Sequence, residues 1–223
     1  MSIRVLVVDD EAMVRVGLRL VLQAEPDIEV VGEAADGIEA LAATIELHPD
    51  VVLIDVRMPR LDGLSATRQI LASEPTVKVV VLTTFNDDAS VRQALRAGAS
   101  GFLLKVAPPE RLAEAVRVAA RGDALLDPLV TRSVIEAFTA VPEPASPAPS
   151  PPPELDLLTV RELEVLHMLA RGMSNAEIAA QLVVGDATVK THVARVLMKL
   201  QLRDRVQAVV FAYENRLAPR TNN

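Results

Sequence analysis

The 223-residue chain has no cysteine and no tryptophan, a single tyrosine and four phenylalanines. Without cysteine there can be no disulfide, no thiolate metal centre and no cysteine nucleophile, and the composition suits a reducing compartment. Aromatics are 2% of the chain, yet half the residues are hydrophobic. The core must therefore be aliphatic, and wholesale disorder is excluded. The three histidines, His48, His167 and His192, are too far apart in sequence to suggest a histidine metal cluster. Long apolar runs are also missing, and Met1–Asp10 meets two carboxylates before a signal-peptide core could form. The expectation is no secretion signal, no membrane span and a cytoplasmic location.

The formal net charge is −7, unevenly spread. Residues 1–138 hold 14 Lys/Arg against 21 Asp/Glu, whereas 139–223 hold nine of each. Within that second part, 188–220 carry seven basic and two acidic residues. One short basic segment thus sits in an acidic protein, and local charge is what a polyanion feels. Seven of the 15 prolines fall between Pro142 and Pro153. Proline fixes φ and lacks a backbone donor, so this stretch reads as an extended spacer rather than helix or central strand; the alternative is a Pro-rich ligand for an SH3-type groove. The expected division is 1–123, a linker helix (about 128–140) and Pro-rich spacer over 124–153, and 154–223.

Before the spacer, strand-length apolar runs at Ile3–Val8, Ile28–Val31, Val51–Ile54, Val77–Leu82 and Gly101–Leu104 alternate with helical spacing near 11–24, 37–48, 63–73, 88–97 and 109–121. This alternation predicts an α/β fold, a doubly wound parallel sheet covered on both faces. After the spacer, 160–171, 175–182, 186–200 and 204–216 each show i, i+3, i+4 apolar spacing, which predicts a small all-α domain of four helices.

Polar residues cluster where the strands of the first part end: Asp9, Asp10 and Glu11, then Asp55, then Thr83 and Thr84, then Lys105. Open α/β sheets bind ligands beyond the carboxyl ends of their strands, at the point where strand order reverses. If the order is 2-1-3-4-5, Asp9, Asp10 and Asp55 converge. Crowded carboxylates raise one another's pKa values or recruit a cation. With no His or Cys at hand, that cation is hard and oxygen-seeking, and Mg²⁺ is the natural choice. A dication, the Lys105 ammonium and the Thr83 hydroxyl around one carboxylate suit an incoming phosphoryl group, which Asp55 could accept as an acyl phosphate.

The segments VLVVDDE at 5–11, DVRMPRLDG at 55–63, VVVLTTF at 79–85 and ALRAGASGFLLK at 94–105 resemble the receiver domain of two-component response regulators, a flavodoxin-like (βα)5 fold. The resemblance implies that Asp55 is the phosphoacceptor and that Mg²⁺ is held by Asp9, Asp10, Asp55 and the backbone carbonyl of Arg57. It also implies phosphoryl contacts from Thr83 and Lys105, an aromatic switch at Phe102, a turn shaped by Pro59 and Gly63, and a phosphohistidine donor on a sensor histidine kinase. Val106 follows Lys105 where relatives often carry Asp.

In the second part, 175–182 and 186–200 are joined by the short Val183–Gly185 turn, a helix-turn-helix arrangement whose second helix would enter the DNA major groove. Val189, Val193, Val196, Leu197 and Leu200 form its inward stripe. Lys190, Thr191 and Ala194 are expected to face base edges, with Thr188 near the helix start. His192, on the same helix, is also counted among the DNA-binding candidates, though alone it reads as a surface or backbone-bonding residue, and Arg195, Lys199, Arg203 and Arg205 are expected at phosphates. The sequence from Leu158 to Leu217 resembles the LuxR-type helix-turn-helix domain, and the two parts together resemble the NarL/FixJ class. Two departures stand out: Gly185-Asp186 replaces a Ser/Thr-led cap, and Gln201 replaces a common Gly. The implied function is a transcription factor rather than an enzyme, switched by phosphorylation, binding double-stranded promoter DNA and forming a homodimer, with no membrane partner. The alternatives are a phosphate-independent DNA binder with a vestigial receiver, or a Mg²⁺-dependent phosphatase or phosphotransferase.

Overall fold

The computed structural model describes residues 2–83, 88–121, 152–215 and 217. The chain forms two compact units, Met1–Ser133 and Val134–Asn223. The helix expected at 128–140 and the Pro-rich stretch through residue 151 lie outside the described residues, as does Thr84.

In the first unit five strands, β1 (Ile3–Val8), β2 (Ile28–Ala34), β3 (Val51–Asp55), β4 (Lys78–Thr83) and β5 (Gly101–Leu104), form one sheet. It is parallel throughout, in the order β2-β1-β3-β4-β5. Between them run α1 (Ala12–Gln23), α2 (Gly37–Leu47), α3 (Gly63–Ser73) and α4 (Asp88–Arg96), and α5 (Pro109–Ala120) follows β5. Every residue of β3 is buried, as its unbroken apolar run foretells. On one sheet face Val5, Val7, Leu53 and Leu82 pack with Leu22 of α1 and with Leu112 and Val116 of α5. Burying each such aliphatic side chain contributes about 1.5–3 kcal/mol. β2 runs three residues past the expected end. It is an edge strand, half-exposed along Glu29–Glu33, so its ladder continues through acidic residues that interrupt the apolar signal.

The helix starts follow from short polar side chains. Asp36 caps α2 by accepting from the amides of Ile38 and Glu39, and Asp62 caps α3 by accepting from Ser65. Pro109 opens α5, where its missing N–H costs nothing.

The described residues of the second unit form a 3₁₀ turn at Pro153–Leu157, which the periodicity did not predict, and four helices: α6 (Val160–Ala170), α7 (Asn175–Leu182), α8 (Asp186–Lys199) and α9 (Arg205–Glu214). Thr159 and Ser174 begin α6 and α7 with reciprocal capping boxes through Glu162 and Glu177. The core joins Val165, Leu166 and Leu169 of α6, Ile178 of α7, Val189 and Val196 of α8, and Ala208 and Ala212 of α9. Val193 and Leu197 pack against it half-buried, completing the stripe read from the sequence. Tyr213 lies half-buried near the end of α9, where burial raises its hydroxyl pKa.

Candidate functional site

The sheet order brings β1 and β3 side by side, and their carboxyl ends deliver Asp9, Asp10 and Asp55 to one crevice. One carboxylate oxygen from each lies within 4.8 Å of the others. Asp9 has no solvent exposure, Asp55 is buried and Asp10 is exposed. Thr83 ends β4, also buried. Lys105 follows β5, its amide donating to the Thr83 carbonyl at 2.7 Å.

The Lys105 ammonium spans the crevice, 2.6 Å from Asp9 Oδ2 and 3.2 Å from Asp55 Oδ2. Burial works against that charge, but the two carboxylates prevail and hold the lysine pKa above its ordinary value. Asp55 moves the other way from an ordinary surface acid. Desolvation raises its pKa, against the attraction of Lys105, and Asp9 adds repulsion. Asp55 Oδ1 accepts from the amide of Val56 at 2.8 Å, and Asp9 Oδ1 from that of Glu11 at 3.0 Å. Asp9 Oδ2 is enclosed, with the Lys105 ammonium 2.6 Å away as its counter-charge. An enclosed carboxylate oxygen beside two further carboxylates, with oxygen donors only, fits a hard divalent cation such as Mg²⁺.

The loop leaving β3 is fixed on both sides of Arg57. Val56 donates to Leu82 O at 3.2 Å, and Gly63 donates to Val56 O at 3.0 Å. Gly63 answers a close approach: a Cβ there would stand 1.8 Å from the Asp55 carbonyl oxygen. Arg60, in the left-handed region at φ 63°, ion-pairs with Asp36 and Glu39 and ties the loop to the start of α2. Phe102 points inward on β5 and is buried.

In the second unit α8 presents Thr188, Lys190, Thr191, Ala194 and Arg195 to solvent. Lys190 pairs with Asp186 one turn back at 3.1 Å, and the Thr191 hydroxyl donates to Ala187 O at 3.0 Å. His192 is half-buried, its Nδ1 enclosed without a hydrogen-bond partner among the described residues. The cap of α8 is Gly185, without a side-chain bond. Asp186 stands in the first turn, where its charge complements the helix dipole.

Of the residues expected at phosphates, Lys199 and Arg205 have partners within the unit. The Lys199 ammonium is 2.6 Å from Glu162 Oε2, a buried carboxylate. Arg205 donates to Asn175 Oδ1 at 2.8 Å and to the Met173 carbonyl. Arg203 is half-buried, and desolvation lowers its pKa. Lys199 and Arg205 thus tie α8 and α9 to the rest of the unit; spacing along one helix cannot reveal a partner 37 residues away.

Sequence reasoning also missed Arg15. From α1 it donates to Asp9 O at 2.7 Å and Asp10 O at 3.3 Å, and its Nε reaches Glu33 of β2 at 3.3 Å. The available signal was an arginine one helical turn beyond an acid pair.

Comparison with known proteins agrees with both halves. The model of the response regulator receiver domain matches residues 5–117, and that of the bacterial regulatory proteins of the luxR family matches 156–212. The transcriptional regulatory protein LiaR of Bacillus subtilis (strain 168) is 43% identical over 215 residues, covering 96% of this chain and 99% of its own. The response regulator protein VraR of Staphylococcus aureus is 42% identical over 217 residues, covering 97% and 99%. Among solved structures, the response regulator ChrA of a heme-sensing two-component system is 38% identical with a TM-score of 0.53, covering 97% of this chain and 98% of that one. Among the described residues no helix is long and apolar enough to cross a membrane. With an acid-lined receiver crevice in one unit and a helix-turn-helix in the other, the chain belongs to the NarL/LuxR class of response regulators, DNA-binding transcriptional regulators rather than enzymes.

Proposed function

We propose that this regulator is switched by phosphorylation of Asp55, with Mg²⁺ held by Asp9, Asp10, Asp55 and the Arg57 carbonyl. The observation that carries the reading is the shared lysine: one ammonium answers both Asp9 and Asp55 at the mouth of a buried acidic crevice. When bound, the dication neutralises charge on the incoming phosphoryl oxygens. An Asp55 carboxylate oxygen attacks the phosphorus of a phosphohistidine on a sensor histidine kinase, the P–N bond breaks, and an acyl phosphate forms on Asp55. Lys105 exchanges its Asp55 contact for a phosphoryl oxygen, and the Thr83 hydroxyl donates to another. Charge placement does most of the work in such transfers. The new dianion biases a two-state receiver through Thr83 and the buried Phe102.

The DNA-reading set is Thr188, Lys190, Thr191, Ala194 and Arg195, with His192 at its margin. Lys199 is reassigned to holding α8 against α6. Residues 1–123 form the receiver and 154–223 the DNA-binding domain, with 124–153 between them, and the protein acts in the cytoplasm. Two copies pair on phosphorylation or on DNA, so that bivalency raises the affinity of one short basic helix. Met13, Val16 and Leu20 stand exposed along one side of α1, which supports pairing through the face of α1 and α5.

The test is Asp55→Asn. Wild type should take up an acid-labile, hydroxylamine-sensitive phosphate from acetyl phosphate in Mg²⁺ and extend its DNA footprint. The variant should do neither. Label persisting on the variant would overturn the assignment.

A further inference from the structure

We infer that Arg15 is a positioning residue for the cation-binding pair: it clamps the backbone of Asp9 and Asp10 so that both carboxylates face the Asp55 crevice. This rests on the Mg²⁺ reading of that crevice given above.

Three contacts converge on one guanidinium. Nη1 donates to Asp9 O at 2.7 Å and to Asp10 O at 3.3 Å, while Nε reaches Glu33 Oε2 at 3.3 Å. The side chain is largely buried. Glu33 is itself held a second time, by Arg19 at 2.8 Å, and its strand is registered on β1 through the Val7–Glu33 pair. The clamp therefore has a fixed outer anchor.

The two carboxylates need this clamp unequally. Asp9 is oriented by its own contacts, with the Glu11 amide on one oxygen and Lys105 beside the other. Asp10 is exposed, and among the described residues no donor holds its carboxylate. Its direction is set by its backbone, which Arg15 grips on the carbonyl side. The fork geometry of a guanidinium serves two carbonyls and a carboxylate at once, which an ammonium cannot reproduce.

Geometry and charge predict opposite signs. A guanidinium near a dication site repels the ion, so if only its charge mattered, removing it would tighten binding. If it positions the ligands, removing it loosens binding, and groups that orient metal ligands from behind typically account for about 10–100-fold in affinity.

The experiment is calorimetric Mg²⁺ titration of the full-length chain as wild type, Arg15→Gln and Arg15→Lys, with melting temperatures measured without and with Mg²⁺. The expected result is at least about tenfold weaker Mg²⁺ binding in both variants and a smaller Mg²⁺-induced rise in melting temperature, whatever the ion-free value. Unchanged or tighter binding in Arg15→Gln overturns the inference, even if the ion-free protein melts lower. So does wild-type affinity in Arg15→Lys, because charge alone would then suffice. If wild type binds no Mg²⁺, the reading of the crevice itself fails and the inference falls with it.

Discussion

Single residues in this protein are constrained by what stands next to them. Gly63 is the sharpest case, with the Asp55 carbonyl where a methyl group would go. Gly63→Ala must displace the loop or the end of β3, at a cost of about 1–3 kcal/mol or more. Urea unfolding should show the lower midpoint, and labelling of Asp55 should slow in the same variant. Val183 is constrained in the opposite sense. It caps the end of α7 in the left-handed region, at φ 54° and ψ 50°, and is 90% exposed. A β-branched residue is strained there by about 1–2 kcal/mol, with almost no buried contact in return. Val183→Asn should therefore stabilise the helical unit by about 1 kcal/mol, read as a higher urea midpoint. Gln201, at φ 54°, shows the same strain, as expected of a position where glycine is common.

At the level of elements, the strands were the most legible part of the sequence. Burial on both faces writes β3 and β4 as unbroken aliphatic runs, and each acid, hydroxyl or amine of the proposed site stands at or just after the end of a strand. β2 was cut short at Val31 because Gly32 and Glu33 look like an ending, which an edge strand tolerates. The helices α6 to α9 were found by period, but the ties among them were not. Glu162 illustrates why: it serves the α6 cap and also receives the Lys199 ammonium from the last turn of α8. That lysine bond and the Thr159 amide hold its carboxyl down at about 2. An acid whose folded pKa is depressed contributes stability above its unfolded value, and that contribution fades as pH falls through the folded one. The helical unit should thus lose stability between roughly pH 4.5 and 2, and Glu162→Gln should lower its melting temperature at neutral pH while flattening that acid slope. An unchanged slope would show that the pair does not couple α6 to α8.

For the whole molecule, charge segregation was readable before any fold was. The acidic receiver and the short basic segment point to different ligands, a cation with phosphorus in one unit and a polyanion at the other. Less legible was how few of those basic residues are available. Lys199 and Arg205 are spent on internal bonds, so the exposed cations of α8 reduce to Lys190 and Arg195. Under the proposed pairing, two such helices on a two-fold axis would supply what one lacks, without a more basic domain. The scarcity of aromatics has its own consequence. Tyr213, on α9, is the chain's sole tyrosine, and there is no tryptophan. Excited at tyrosine wavelengths, the protein emits from its helical half alone, while the proposed phosphoacceptor Asp55 lies in a half that is spectroscopically silent. A change in that emission on treatment with acetyl phosphate would therefore report an event felt at Tyr213, recorded by a probe the protein already carries.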